Sequence, residues 1–126
     1  MNKKVIIFIN ILKNASLANK TEAFVPYNTL ILDYVDCLYR EGLLQSYEIL
    51  FDSKKIKIFT RSDGNKILTS NLEFVSTLTK KRYLSCSSMK QVRPTHKEFI
   101  VCTDEGVFSL TECQEKNIGG LIAFSC

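Results

Sequence analysis

The segment from Val101 to Cys126 restricts the possible folds more than any other part of the chain. Val101, Cys102 and Thr103 run through Asp104, Glu105 and Gly106 into Val107 and Phe108, and a short polar helical stretch then leads to Ile118, Gly119 and Gly120. The order is strand, tight turn, capped helix, double glycine, strand. Ser109 and Glu112 stand three apart, the spacing at which hydroxyl and carboxylate cap each other's backbone amides, and Asn117 tolerates the left-handed backbone that ends a helix. Two turns and two helix ends are thereby crowded onto a small domain. They present main-chain donors and hydroxyls rather than a reactive pair, so the surface reads as one that binds.

The rest of the chain alternates between helical and strand periods. Val5, Phe8, Ile9 and Leu12 share one stripe of an amphipathic helix over residues 3–16, with Lys4, Lys13 and Asn14 outside. Ala23 to Pro26 suits a short strand. Asn28 caps a second helix that buries Leu30, Ile31, Tyr34, Val35 and Leu38, and Gly42 stops it. Tyr47, Ile49 and Phe51 alternate with polar neighbours, Lys54 and Lys55 turn the chain, and Ile56 and Ile58 continue with a period of two. Ser62-Asp63-Gly64-Asn65 is a turn, and the polar Thr69 to Asn71 marks a module boundary. Strands are expected near 73–77, 82–85, 98–103 and 118–124. The fold class is α+β in two small domains: an N-terminal α-β-α-β-β module over 1–69, and a mostly β module with one short helix over 70–126.

A chain of 126 residues, 45% hydrophobic and 24% charged, can bury one moderate core or two small ones. It contains no run of about 18 apolar residues to span a membrane. The apolar stretch after Lys3 and Lys4 is interrupted by Asn10, Lys13 and Asn14, and lacks a cleavage site of the secretory kind. Five unevenly spaced cysteines among apolar neighbours suit a reducing compartment. Charge is distributed unevenly: residues 1–100 carry a net +7 and residues 101–126 a net −3. Lys80, Lys81, Arg82, Lys90, Arg93 and Lys97 follow one another without an acid, interleaved with Tyr83 and His96. A segment of that kind is either a solvated basic face or a field that attracts a polyanion.

Over almost its whole length the chain resembles the small-subunit ribosomal protein eight family of bacterial type. The likeness is carried by Lys13, Asn14, Ala18, Asn19 and Lys20, by Leu38, Glu41 and Gly42, and by Leu72, Val75 and Ser76. It is strongest in Val101, Thr103, Gly106, Val107 and in Ile118, Gly119, Gly120, where the family pattern is a Ser-Thr-Ser-x-Gly turn followed by Gly-x-Gly-Gly. The resemblance implies a non-catalytic protein that clamps a helix in the central domain of small-subunit ribosomal RNA beside neighbouring ribosomal proteins. It further implies that Thr103 contacts the RNA minor groove, with Gly106 enabling the turn, and that Tyr83 and Lys81 lie near the RNA. The RNA-binding residues expected are Lys13, Asn14, Asn19, Lys20, Lys81, Tyr83, Cys102, Thr103, Asp104, Gly106, Gly119 and Gly120.

Several positions depart from the family. Cys102 and Asp104 replace the flanking serines, Leu121 replaces an acid after the double glycine, and Leu78 and Thr79 replace a Pro and Gly. A thiol is a weak donor, and Asp104 beside Glu105 repels phosphate unless it accepts from a 2′-hydroxyl or base amino group. The shallow groove of A-form RNA is nevertheless read by small groups that approach closely, a demand that Gly106, Gly119, Gly120, Thr103 and Ser109 meet. Each glycine also has a bland reading as a backbone requirement, and Tyr83 as half-buried core.

Catalysis would need Cys86, Cys102 or Cys113 to share the single histidine, His96, and no carboxylate close in sequence orients that ring. No Cys-x-x-Cys spacing exists for zinc. No metal, cofactor, small-molecule substrate or membrane is therefore expected. The alternative to RNA binding is a protein-binding module within a larger assembly. High Ile, Phe, Lys and Asn content, no tryptophan, scattered cysteines and a divergent turn point to a mitochondrial ribosome, synthesised in the organelle or cleaved beforehand, with a bacterial or plastid ribosome as the alternative.

Overall fold

The computed structural model describes residues 3–64, 66–76, 80–91 and 98–126. They fall into two compact units that divide between Leu72 and Glu73.

In the first unit, α1 (Lys3–Leu17) buries Val5, Phe8, Ile9, Leu12 and Ser16. Asn19 takes a left-handed φ of 57°, Lys20 N–H bonds the Ala15 carbonyl at 3.0 Å and Asn19 N–H that of Ser16 at 3.1 Å, a helix end closed by its own backbone. The strand β1 (Glu22–Pro26) leads to α2 (Thr29–Arg40), whose Asn28 cap accepts from Leu30 N–H at 2.9 Å. Gly42, at φ +76°, turns the chain out of that helix. Then β2 (Leu44–Leu50) and β3 (Lys55–Thr60) form a hairpin, giving an antiparallel sheet of order β1-β3-β2. Ala23, Val25, Ile56 and Ile58 alternate inward. Phe51, expected in the second strand, instead lies in the hairpin turn, 76% exposed.

The Ser62–Gly64 signal is part of a small hairpin of β4 (Ser62–Asp63) and β5 (Lys66–Ile67). The polar stretch read as a boundary is a 3-10 turn, Leu68–Asn71, within the first unit. Thr69 is wholly buried there and hydrogen-bonded to Ser16 of α1, which draws these residues into the first core.

The second unit contains β6 (Glu73–Phe74), β7 (Tyr83–Leu84), α3 (Cys86–Gln91), β8 (Phe99–Thr103), β9 (Gly106–Ser109), α4 (Leu110–Lys116) and β10 (Gly120–Ser125). Its described residues differ from expectation in forming two short helices rather than one, and in a strand, β9, between the tight turn and the capped helix. The central strand is β10. Leu121 pairs with Cys102 on one side and Tyr83 on the other, while Phe124 pairs with Ile100 and Phe74, so β6 and β7 share the edge opposite β8. Val101, Ile122, Leu110 and Cys113 form a core between sheet and α4, with Phe108 and Leu84 packed on it. The register shifts between Ile122 and Phe124, and the Ala123 carbonyl accepts from both Val75 and Ser76 N–H.

Candidate nucleic-acid interface

The turn joining β8 and β9 is held by a side chain. Thr103 Oγ1 donates to the Gly106 carbonyl at 2.8 Å and accepts from Glu105 N–H at 3.2 Å. A hydroxyl has one proton and two lone pairs, so the group is left with one acceptor position for a ligand such as a ribose 2′-hydroxyl. Gly106 sits at φ +135°, a conformation that side-chain-bearing residues avoid, although a Cβ there would meet nothing closer than the Phe108 ring at 3.7 Å. Its requirement is conformational. Asp104 and Glu105 are exposed at the tip.

The double glycine has a different cause. A Cβ on Gly120 would lie 2.5 Å from the Cys102 carbonyl oxygen and 2.9 Å from Thr103 Cγ2, and one on Gly119 2.6 Å from the Leu84 carbonyl oxygen and 2.8 Å from Cys86 N. Both glycines therefore let backbone segments of this unit pass close to one another, an intramolecular need that stands whether or not RNA approaches.

Residues directly opposite on antiparallel strands share a face. Tyr83, Leu121 and Cys102 accordingly form a row across β7, β10 and β8, on the face away from α4. Tyr83 is 67% exposed and the other two are half-buried, so Tyr83 is not the half-buried core residue of its bland reading. Lys80, Lys81 and Arg82 are exposed just before this row, and Lys90 is exposed on α3. Ser76 ties the backbone of Arg82 to β10: its buried hydroxyl donates to the Ile122 carbonyl at 2.5 Å and accepts Arg82 N–H at 3.0 Å. The expected cations Arg93 and Lys97, with His96, Leu78 and Thr79, lie outside the described residues.

Ser109 and Glu112 form the reciprocal cap, and Asn117 ends α4 at φ 58°. The Ser109 hydroxyl is buried in this task and not offered to a ligand. Lys116 Nζ lies 4.7 Å from the centre of the Phe108 ring. Thus the structure gathers Tyr83, Cys102, Thr103, Asp104, Gly106, Gly119 and Gly120 at one end of one sheet. Lys13, Asn14, Asn19 and Lys20 lie around the end of α1 in the first unit, with Lys13 half-buried and the other three exposed.

Among the described residues, two thiols are held in their neutral form. Burial, with the neighbouring Glu112 carboxylate, pushes the Cys113 thiol up to about 11, and burial pushes Cys126 to about 11 as well; a thiol so protonated at neutral pH is inert. Small two-unit α+β architecture, stapled turns, a projecting aromatic and adjacent cations suit a surface that binds. The chain belongs to the ribosomal protein S8 family, whose model matches residues 5–125. It is similar to the small ribosomal subunit protein uS8 of Lactobacillus johnsonii, 27% identical over 95% of this chain and 93% of the relative. The protein of the same name from Streptococcus agalactiae serotype V is 29% identical with the same coverage, and that from Lacticaseibacillus casei is 28% identical over 90% and 88%.

Proposed function

We propose that this chain is a structural constituent of the small ribosomal subunit that holds a helix of the central domain of small-subunit ribosomal RNA in place during assembly and translation. The observation that carries the reading is the family match from end to end, joined to a turn whose small, rigid groups suit the shallow groove of A-form RNA. The RNA-facing surface comprises Thr103, Gly106, Cys102, Asp104 and Tyr83, with Gly119 and Gly120 fixing its backbone and Lys81 neutralising phosphate. Lys13, Asn14, Asn19 and Lys20 add a second set of contacts from the first unit. A lone acceptor at Thr103 and the acids Asp104 and Glu105 favour recognition of 2′-hydroxyls over phosphates at the turn itself.

The ribosome is read as mitochondrial on composition and on the divergent turn; the bacterial relatives fit equally an organelle of bacterial descent or a bacterial cytoplasm. Titration of the purified protein against small-subunit RNA fragments at several salt concentrations tests the function. Binding confined to one central-domain helix supports it. Equal, salt-sensitive attachment to every fragment reduces the chain to a basic surface, and no attachment points to a protein-binding module.

A further inference from the structure

A second feature lies in the first unit and is lined by none of the residues assigned above. The end of α2 and the strands after it enclose a groove of about 660 Å³ lined by Tyr39, Arg40, Gly42, Gln45, Arg61 and Ser62, with two cations and no acid among its lining residues. The carbonyl end of a helix ordinarily repels anions. Here Arg61 Nη1 donates to the Gly42 carbonyl at 2.9 Å, covering that end with positive charge. Asp36, one turn before Arg40, is divided between Arg40 Nε at 3.2 Å and the Tyr47 hydroxyl, also at 3.2 Å, while Glu41 and Asp63 adjoin lining residues along the chain. The Tyr39 and Tyr47 rings meet in a T-shape, centroids 5.7 Å apart, and Tyr39 remains 47% exposed.

We propose that this groove is a further RNA contact, distinct from the two sets assigned above, in which Arg40 and Arg61 hold phosphates and Tyr39 stacks on an unpaired base. A braced aromatic beside paired guanidiniums is the combination by which proteins grip single-stranded nucleic acid, and Gln45 and Ser62 supply an amide and a hydroxyl for a base edge. An acidic peptide would use the arginines but leave the exposed aromatic without purpose. The inference rests on the ribosomal reading above, since it concerns a different stretch of the same RNA.

The test uses the full chain with two RNAs, the isolated central-domain helix and the intact small-subunit RNA. On the intact RNA, Arg40→Gln and Arg61→Gln should each flatten the dependence of log K on log salt by about 0.7 to 0.9, and Tyr39→Leu should weaken binding by about tenfold. On the isolated helix all three should match the parent, which also shows that they fold. Tyr39→Phe should behave as the parent on both. Unchanged slopes on the intact RNA overturn the proposal, as does loss of a neighbouring ribosomal protein instead of RNA contact in reconstituted subunits. If the parent binds neither RNA, the ribosomal-RNA reading falls and the groove with it.

Discussion

Gly120 passes so close to Cys102 that a single added carbon would stand 2.5 Å from the Cys102 carbonyl oxygen, a backbone atom that cannot step aside. Gly120→Ala should therefore destabilise the second unit by about 1–3 kcal/mol through overpacking. Gly119→Ala meets three backbone atoms within 2.9 Å and should behave alike. Gly64→Ala meets nothing, so only its positive φ opposes it, at about 1 kcal/mol. Urea unfolding of the three variants checks the order.

Thr103 separates turn integrity from ligand contact. Thr103→Ala removes both hydrogen bonds of its hydroxyl and should cost about 1–2 kcal/mol, whereas Thr103→Ser keeps them and should stay near the parent. If RNA affinity falls for the alanine and not for the serine, the hydroxyl rather than the methyl group is what matters. Filter binding alongside thermal unfolding gives the comparison.

Ser16 and Thr69 make an asymmetric pair. Ser16 gives its proton to the Leu12 carbonyl at 2.8 Å, so Thr69 must be the donor between the two hydroxyls. Ser16→Ala then leaves a buried donor without an acceptor and should cost about 1–3 kcal/mol, more than Thr69→Val, which leaves Ser16 still donating. A double variant should be less harmful than the sum of the singles. Denaturation midpoints decide it.

The buried thiols set an alkaline limit. Cys113 and Cys126 are raised from 9.0 to about 11, so the folded state favours their neutral form. Their contribution is complete below pH 9, where the unfolded thiols are also neutral, and is lost as pH climbs from 9 through 11. Stability should fall over that window, and the fall should be shallower in a Cys113→Ala, Cys126→Ala variant than in the parent. Urea midpoints at half-unit pH steps measure both slopes.

Local signals were legible in the sequence. The Asn28 cap, the Gly42 stop, the Ser109–Glu112 box and the left-handed Asn117 all involve residues within a few positions of each other, and each is found in the fold. What escaped depends on distance along the chain. Leu68–Asn71 reads as a polar linker because its buried partner, Ser16, is 53 residues from Thr69. The groove around Tyr39 needs Arg61 to reach Gly42, 19 residues away. β9 is hidden because Val107 and Phe108 are too short a run to declare a strand, and their pairing with Cys102 and Val101 supplies what the run lacks. At the double glycine the sequence permitted a ligand or a neighbour; the close approach of Cys102 and Leu84 supplies a neighbour.

The most direct test is ultraviolet crosslinking of native small subunits, with the attached nucleotides mapped by mass spectrometry. Peptides containing Tyr83 and Thr103 should carry nucleotides from one helix of the central domain of small-subunit ribosomal RNA. Recovery of those peptides joined only to other proteins, or never to RNA, would contradict the account.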